Sequence, residues 1–260
     1  MFIKDISVNN EKIIFSLVQY PSIKGDIKNN LNNHVKHIKL SAESGADIVI
    51  FPELSLTGYE LELASKLAID GTSSIITDLS NAAIDNNVVI ISGIPLINST
   101  DKPYIGALVS FPSGQTDFYR KQYLHPGEDK FMSAGSKNYS FEFKQRKMFL
   151  GICADFTNSQ HWLDANEDHA DIYLSSVLIS KNGFAHDSEI LRRKAIEHKL
   201  NIVMTNYIGE TGGWLSNGNS RAWDTDGNVC ISANDSDPCL VLCTITDGGI
   251  SGRIINITKT

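Results

Sequence analysis

The chain has 260 residues, of which 42% are hydrophobic, and its 30 acidic and 23 basic residues give a formal net charge of −7. A chain of this length buries about 70–75% of its unfolded surface, so its stability requires neither disulfides nor a metal. The negative charge argues against nucleic acid or an anionic membrane as the main partner, because either would favour a basic face.

The cysteines and the apolar segments bear on the cellular location of the protein. The four cysteines are few for this length and lack paired zinc spacing: Cys153, Cys230, Cys239 and Cys243. The first 12 residues contain no apolar core of signal-peptide length, and no segment approaches about 20 apolar residues. These features predict a soluble cytoplasmic protein with reduced cysteines.

Strands and helices alternate in the first half of the chain. A strand over residues 13–19 precedes a helix from Ile27 to about Ser44. Its predicted inward face consists of the apolar residues Ile27, Leu31, Val35, Ile38 and Ala42. Further predicted elements are a strand at 47–51, a helix at 72–87, a strand at 88–94 and a hairpin of strands at 104–111 and 116–119.

The alternation continues in the second half. The predicted elements are a strand pair at 141–143 and 148–152, a helix after Cys153, a strand at 171–176, a helix near 184–199, a strand at 201–206, two strands around the turn at 225–228, and an apolar strand from Cys239 to Cys243. No linker or internal repeat divides the chain. The pattern predicts one α/β domain over residues 1–260.

Three segments place a reactive side chain where a strand runs into a loop, the place where α/β folds collect ligands. Glu53 follows the strand at 47–51, Lys121 and Glu128 follow the hairpin, and Cys153 follows the strand at 148–152. A thiol becomes a nucleophile when a base takes its proton, and a buried glutamate can be that base. A fixed lysine can stabilise an oxyanion. Each residue alone also fits a structural role: a core thiol, a helix cap or a solvated cation.

The order of these segments resembles the three signature regions of the nitrilase superfamily of carbon–nitrogen hydrolases. GADIVIFPELSLTGY is similar to the family's glutamate motif, FPSGQTDFYRKQYLHPGEDKFMSAG to its lysine region, and GICADF to its cysteine elbow. The opening LVQ and GDIKNNL, then KAIEHKLNIVMTN and GNSRAWDTDGNV, resemble further family segments in the family's order. The resemblance therefore covers nearly the whole chain.

The resemblance implies a four-layer α-β-β-α sandwich with one active site. In it Glu53 is the general base, Lys121 stabilises the oxyanion and Cys153 is the nucleophile. Glu128 would orient the lysine or substrate, and the N–H of Ala154 would be a second oxyanion donor. The implied reaction converts a small amide into a carboxylic acid and ammonia through a thioester, without a metal or organic cofactor. The family also implies a homodimer or a higher even assembly.

Departures from the family pattern leave the substrate open. The elbow reads Cys-Ala-Asp, nearer to the amidase form Cys-Tyr-Asp than to the nitrilase form Cys-Trp-Glu, while Tyr123, Lys194 and His198 replace residues common in the family. We expect an aliphatic amide, bearing a carboxylate or another polar group, to be preferred over its nitrile. The alternatives are a nitrile or N-carbamoyl substrate, an amine as acyl acceptor, a non-catalytic binding protein and a purely structural protein.

Specificity is expected in the loops at 54–70, 122–139 and 207–218, where Tyr59 and Trp214 are candidate substrate contacts. A metal site at His161, Asp164, Asp168 and His169 is disfavoured, because the spacing matches no ligand pattern and a solvated helix face explains it. No Walker, Rossmann or GxSxG motif is present.

Overall fold

The computed structural model describes residues 12–99 and 101–257. The N-terminal segment considered above as a possible leader lies almost wholly outside these ranges. The helices are α1 (Ile27–Glu43), α2 (Ala64–Leu67), α3 (Ser74–Asn86), α4 (Ser159–Glu167) and α5 (Phe184–His198), with short 3₁₀ helices at Leu61–Leu63, Glu128–Lys130 and Cys153–Thr157. The strands are β1 (Ile13–Gln19), β2 (Ile48–Ile50), β3 (Val89–Leu96), β4 (Tyr104–Ser110), β5 (Thr116–Arg120), β6 (Ser140–Phe143), β7 (Arg146–Ile152), β8 (Ile172–Ser176), β9 (Asn201–Thr205), β10 (Ile208–Thr211), β11 (Trp214–Asn217), β12 (Arg221–Trp223), β13 (Val229–Ser232), β14 (Cys239–Thr246) and β15 (Gly249–Asn256).

The strands form two mixed sheets and one small hairpin. The seven-stranded sheet has the order β15-β14-β1-β2-β3-β4-β5, and the six-stranded sheet has the order β13-β12-β9-β8-β7-β6. The centre of each sheet is parallel, with β1, β2 and β3 in one and β7, β8 and β9 in the other. The parallel strand β2 therefore ends in the loop that carries Glu53, and β7 ends at Cys153.

Three apolar clusters hold four layers together. One cluster joins the inner faces of the two sheets, through residues such as Leu17 and Ile50 on one sheet and Leu150 and Leu174 on the other. A second lies between the seven-stranded sheet and the pair α1 and α3. The third lies between the six-stranded sheet and the pair α4 and α5. The predicted α-β-β-α sandwich is confirmed.

The predicted inward face of α1 is confirmed for Leu31, Ile38 and Ala42, which lie in or against the second apolar cluster, but polar residues share that face. The buried residues are Asn30, His34, His37, Ile38 and Ser41, and Val35 is 40% exposed. Polar groups occupy this face because they find fixed partners there. The amide of Asn30 donates to the carbonyls of Ile23 and Leu56, and a ring nitrogen of His34 lies 2.9 Å from the Ser55 hydroxyl. The apolar period therefore located the inward face but did not reveal its buried polar residues, because hydrogen bonding removes the cost of burying them.

Two other elements were missed. The β10–β11 hairpin turns at Gly212 and Gly213, both at positive φ, where a loop had been expected. β15 is an edge strand whose residues are mostly exposed, so it carries no apolar signature. No helix in the described part of the chain is long and apolar enough to cross a lipid bilayer.

Candidate active site

The loop after β2 holds Glu53 in a fixed, fully buried position. This loop lies directly on β3, because a Cβ atom at Gly93 would stand 2.3 Å from the Leu54 nitrogen and the Pro52 oxygen. Leu54 itself has a φ of 52°, a strained conformation for a branched side chain. The Tyr207 hydroxyl donates to the Glu53 carbonyl at 2.6 Å. Close packing and a side-chain hydrogen bond thus fix the backbone that carries the carboxylate.

Lys121 lies between two carboxylates just after β5. Its ammonium donates to Glu53 Oε1 and to Glu128 Oε1, each at 2.7 Å, and its side chain is 0% exposed. Glu128 is fixed in turn by the Tyr59 hydroxyl, which donates to Oε1, and by the His125 N–H, 2.7 Å from Oε2. The solvated-cation reading of Lys121 is therefore wrong. The ammonium is a buried, rigidly held charge.

Cys153 sits at the turn between β7 and the 3₁₀ helix with a φ of 43°, which a non-glycine residue seldom adopts. Its side chain is half-buried, and Sγ lies 3.4 Å from the Leu178 carbonyl. Ala154 is the second residue of the 3₁₀ helix, where an N–H has no acceptor within the helix. That N–H is free to bind an oxyanion beside the thiol.

Asp155 joins the lysine segment to the cysteine elbow, a role that sequence reasoning missed. One oxygen accepts from the backbone N–H groups of Gln122 and Tyr123, at 3.0 and 2.9 Å. The other accepts from the Ile152 N–H at 2.9 Å and from the Tyr119 hydroxyl at 2.7 Å. The carboxylate therefore fixes the residues that flank Lys121 relative to those that flank Cys153.

A histidine assigned to a solvated helix face belongs to the same region. His161 is fully buried, with its ring nitrogens 3.1 Å from the Tyr119 hydroxyl and 2.9 Å from that of Tyr173. The solvated reading is wrong for this residue, because the hydroxyls of two sheet residues satisfy both of its ring nitrogens. Among the residues described, no group of three or more His, Cys, Asp or Glu is arranged to hold a metal ion.

Burial and mutual charge shift the pKa values of Glu53, Lys121 and Cys153. Burial raises the pKa of Glu53 to about 7, although the nearby charge of Lys121 opposes the rise. Burial and the negative charge of Glu53 raise the pKa of the Cys153 thiol well above its ordinary value. Burial alone would lower the pKa of Lys121, but the charges of Glu53, Cys153 and Glu128 raise it overall. The thiol is therefore protonated near neutral pH, and the lysine is charged.

The two oxygens of the Glu53 carboxyl group differ in their hydrogen-bond partners. Glu53 Oε2 is buried and has no hydrogen-bond partner among the described residues. The Cys153 thiol is close enough to be one of the influences that lower the pKa of Glu53, so it lies beside this carboxyl group. An acceptor without a donor next to a protonated thiol is the arrangement that proton transfer needs.

Two cavities open onto these residues. One, of about 380 Å³, is lined by Cys153, Leu178, Asp187 and neighbouring residues. The other, of about 450 Å³, is lined by Glu60, Glu62, Glu128 and their neighbours. Both include Tyr59, His125 and Trp214, so the predicted contacts Tyr59 and Trp214 stand on a shared wall. The segment 178–187, which supplies much of the first cavity, was not among the predicted specificity loops.

Comparisons with known proteins identify the family of this chain. The family model described as carbon-nitrogen hydrolase matches residues 15–247. The chain therefore belongs to the carbon–nitrogen hydrolase family, in the nitrilase superfamily, and it is a carbon–nitrogen hydrolase.

Individual relatives are distant. The chain is 23% identical over 223 residues to the omega-amidase YafV of Escherichia coli K12, covering 84% of each chain. It is 25% identical over 218 residues to a nitrilase of Pyrococcus abyssi, covering 80% of each. Among solved structures, Nit3 of Saccharomyces cerevisiae matches with a TM-score of 0.85 at 20% identity over 92% of each chain, a likeness in fold.

Proposed function

We propose that this enzyme hydrolyses a small aliphatic amide to a carboxylic acid and ammonia, with Cys153 as nucleophile, Glu53 as general base and Lys121 as oxyanion stabiliser. The observation that carries the proposal is the buried ammonium of Lys121, held 2.7 Å from both Glu53 and Glu128 beside the strained Cys153. A charge buried so completely is costly unless it is well paired. Here two carboxylates pair it, and its position near Cys153 suits it to stabilise an oxyanion formed there.

Acylation begins with proton transfer. Glu53 takes the thiol proton, and the sulfur attacks the amide carbonyl carbon, so that the carbonyl electron pair moves to the oxygen. Lys121 and the Ala154 N–H stabilise that oxyanion. The intermediate collapses, the C–N bond breaks, and Glu53 returns the proton to the departing nitrogen, which leaves as ammonia.

Deacylation repeats these roles with water. Glu53 takes a proton from water, and the hydroxide attacks the thioester carbonyl. The same two donors stabilise the second oxyanion, the C–S bond breaks, and the sulfur recovers its proton from Glu53. The raised pKa of Glu53, about 7, suits a group that must both accept and return a proton near neutral pH.

The amide is favoured over the nitrile by the single cation near the reacting carbon, the ammonium of Lys121. An amide forms an oxyanion in the first step and gains from Lys121 at once, whereas a nitrile forms a thioimidate that must first gain protons. Relatives with names of both kinds exist, an omega-amidase and a nitrilase, so the preference has to be measured.

The test combines activity with direct detection of the acyl-enzyme. We expect wild-type protein to release ammonia from primary amides, with a higher kcat/KM than for nitriles of the same carbon skeleton, and to show a mass increase at Cys153 during turnover. Cys153→Ala should lose both signals and keep its fold. Cys230→Ala is the matched control, because Cys230 lies on β13 and lines neither cavity. Activity retained in Cys153→Ala would refute the mechanism, and a consistent nitrile preference would refute the substrate assignment alone.

A further inference from the structure

The cavity that contains Cys153 is anionic apart from its reacting groups. Its charged lining residue is Asp187, and no lysine or arginine is among the described residues that line it: Tyr59, His125, Cys153, Leu178, Ile179, Ser180, Asn182, Gly183, Asp187 and Trp214. Apart from the Lys121 ammonium, which in the proposed mechanism acts at the reacting carbon, a substrate that reaches Cys153 therefore meets a carboxylate and no lysine or arginine in this lining.

The adjoining cavity is also lined mainly by negatively charged residues. Glu60, Glu62 and Glu128 line it together with one cation, Lys24. Lys24 is already paired with Glu60 at 2.9 Å, and Glu128 is already paired with Lys121. The three glutamates therefore outnumber Lys24, and a substrate carboxylate would meet an excess of negative charge in this cavity.

Asp187 lines the cavity of Cys153 without a charged side chain bonded to it. It stands in the first turn of α5, where its backbone N–H donates to the Gly183 carbonyl at 3.0 Å. Its side chain is half-buried and has no hydrogen bond or ion pair with any residue in the described ranges. Burial raises the pKa of this carboxyl group, while His186 and His125 act in the opposite direction. A partly desolvated carboxylate without a partner gains most from a cation brought by a ligand.

We propose that Asp187 binds a cationic group at the far end of the substrate, so that the preferred amide carries an ammonium rather than a carboxylate. This inference rests on the proposed function and names the substrate class within it. The ammonium would donate a charge-assisted hydrogen bond to Asp187 while the amide carbon lies at Cys153. A terminal carboxylate would instead be repelled by Asp187 and by the glutamates of the adjoining cavity.

Three primary amides with the same four-methylene spacer test the proposal: 5-aminopentanamide, hexanamide and the monoamide of adipic acid. The wild-type kcat/KM should be highest for the ammonium compound and lowest for the carboxylate. Asp187→Asn should reduce the ratio of the ammonium to the neutral substrate by about 10- to 100-fold, the usual worth of a hydrogen bond to a charged group. Asp187→Lys should reverse the order and favour the adipic acid monoamide.

The control is Asp85→Asn, which removes the same charge from an exposed position on α3. It should leave the substrate ratio unchanged. A wild-type preference for the carboxylate, or a ratio unaffected in both Asp187 variants, would overturn this inference while ammonia release upheld the proposed function. Failure of the wild-type enzyme to release ammonia from any of the three amides would overturn both.

Discussion

Replacing Lys121 with methionine tests the electrostatic design of the site, because it removes the charge and keeps most of the side-chain volume. The two carboxylates of Glu53 and Glu128, each 2.7 Å from the ammonium, would then remain buried without it. Breaking a buried ion pair by removing one partner costs about 3–5 kcal/mol of stability. We expect a loss in this range, together with a drop of about 10²–10³ in the rate of acylation, the usual effect of losing one oxyanion donor.

The stability loss should depend on pH in a definite direction. Without Lys121, the largest influence that opposes burial is gone, so the pKa of Glu53 should rise beyond its present value of about 7. A carboxyl group with a folded pKa above its unfolded value stabilises the folded protein when protonated, and this contribution is lost as pH rises through the folded pKa. The deficit of Lys121→Met relative to wild type should therefore be larger at pH 8 than at pH 5.

Two measurements check this. Urea unfolding, followed by the fluorescence of the buried Trp162 and Trp223, gives the free energy of unfolding at both pH values. Single-turnover mass spectrometry gives the rate of acyl transfer to Cys153. Lys39→Met is the matched control, because Lys39 forms an exposed pair with Glu43 at 3.9 Å and should cost well under about 1 kcal/mol. A Lys121→Met protein that lost less than this control, or that acylated at the wild-type rate, would refute the reasoning.

Two further predictions concern the base and the residue that joins the two halves of the site. The kcat/KM of the wild-type enzyme should fall as pH is lowered through about 7, because protonation of Glu53 removes the base; a pH–rate profile flat down to pH 5 would contradict this. Asp155→Asn should lower the free energy of unfolding by about 1–3 kcal/mol and reduce kcat, since an amide NH₂ cannot accept from the N–H donors that now face Asp155. Urea unfolding and steady-state kinetics measure the two effects, and wild-type values of both the free energy of unfolding and kcat would contradict the prediction.

The sequence by itself indicated the order of the elements and the residues of the candidate site. Apolar runs predicted the central strands, because parallel strands that are buried on both faces consist almost wholly of apolar residues. The motifs around Glu53, Lys121 and Cys153 identified three side chains that the fold brings together. Each lies just after an apolar strand, and such a strand can be recognised from its own sequence.

Only the tertiary structure decided which polar groups are buried and which surface the substrate meets. α1 buries Asn30 and His34 because hydrogen-bond partners from distant segments satisfy them, and no periodicity of its own residues contains that fact. His161 was misjudged for the same reason. Asp155 and Asp187 acquire their roles from segments more than 30 and more than 60 residues away, around Gln122 and His125. The residue pattern along the chain depends only on sequence neighbours. Desolvation and charge pairing depend on neighbours in space, which only the folded structure provides.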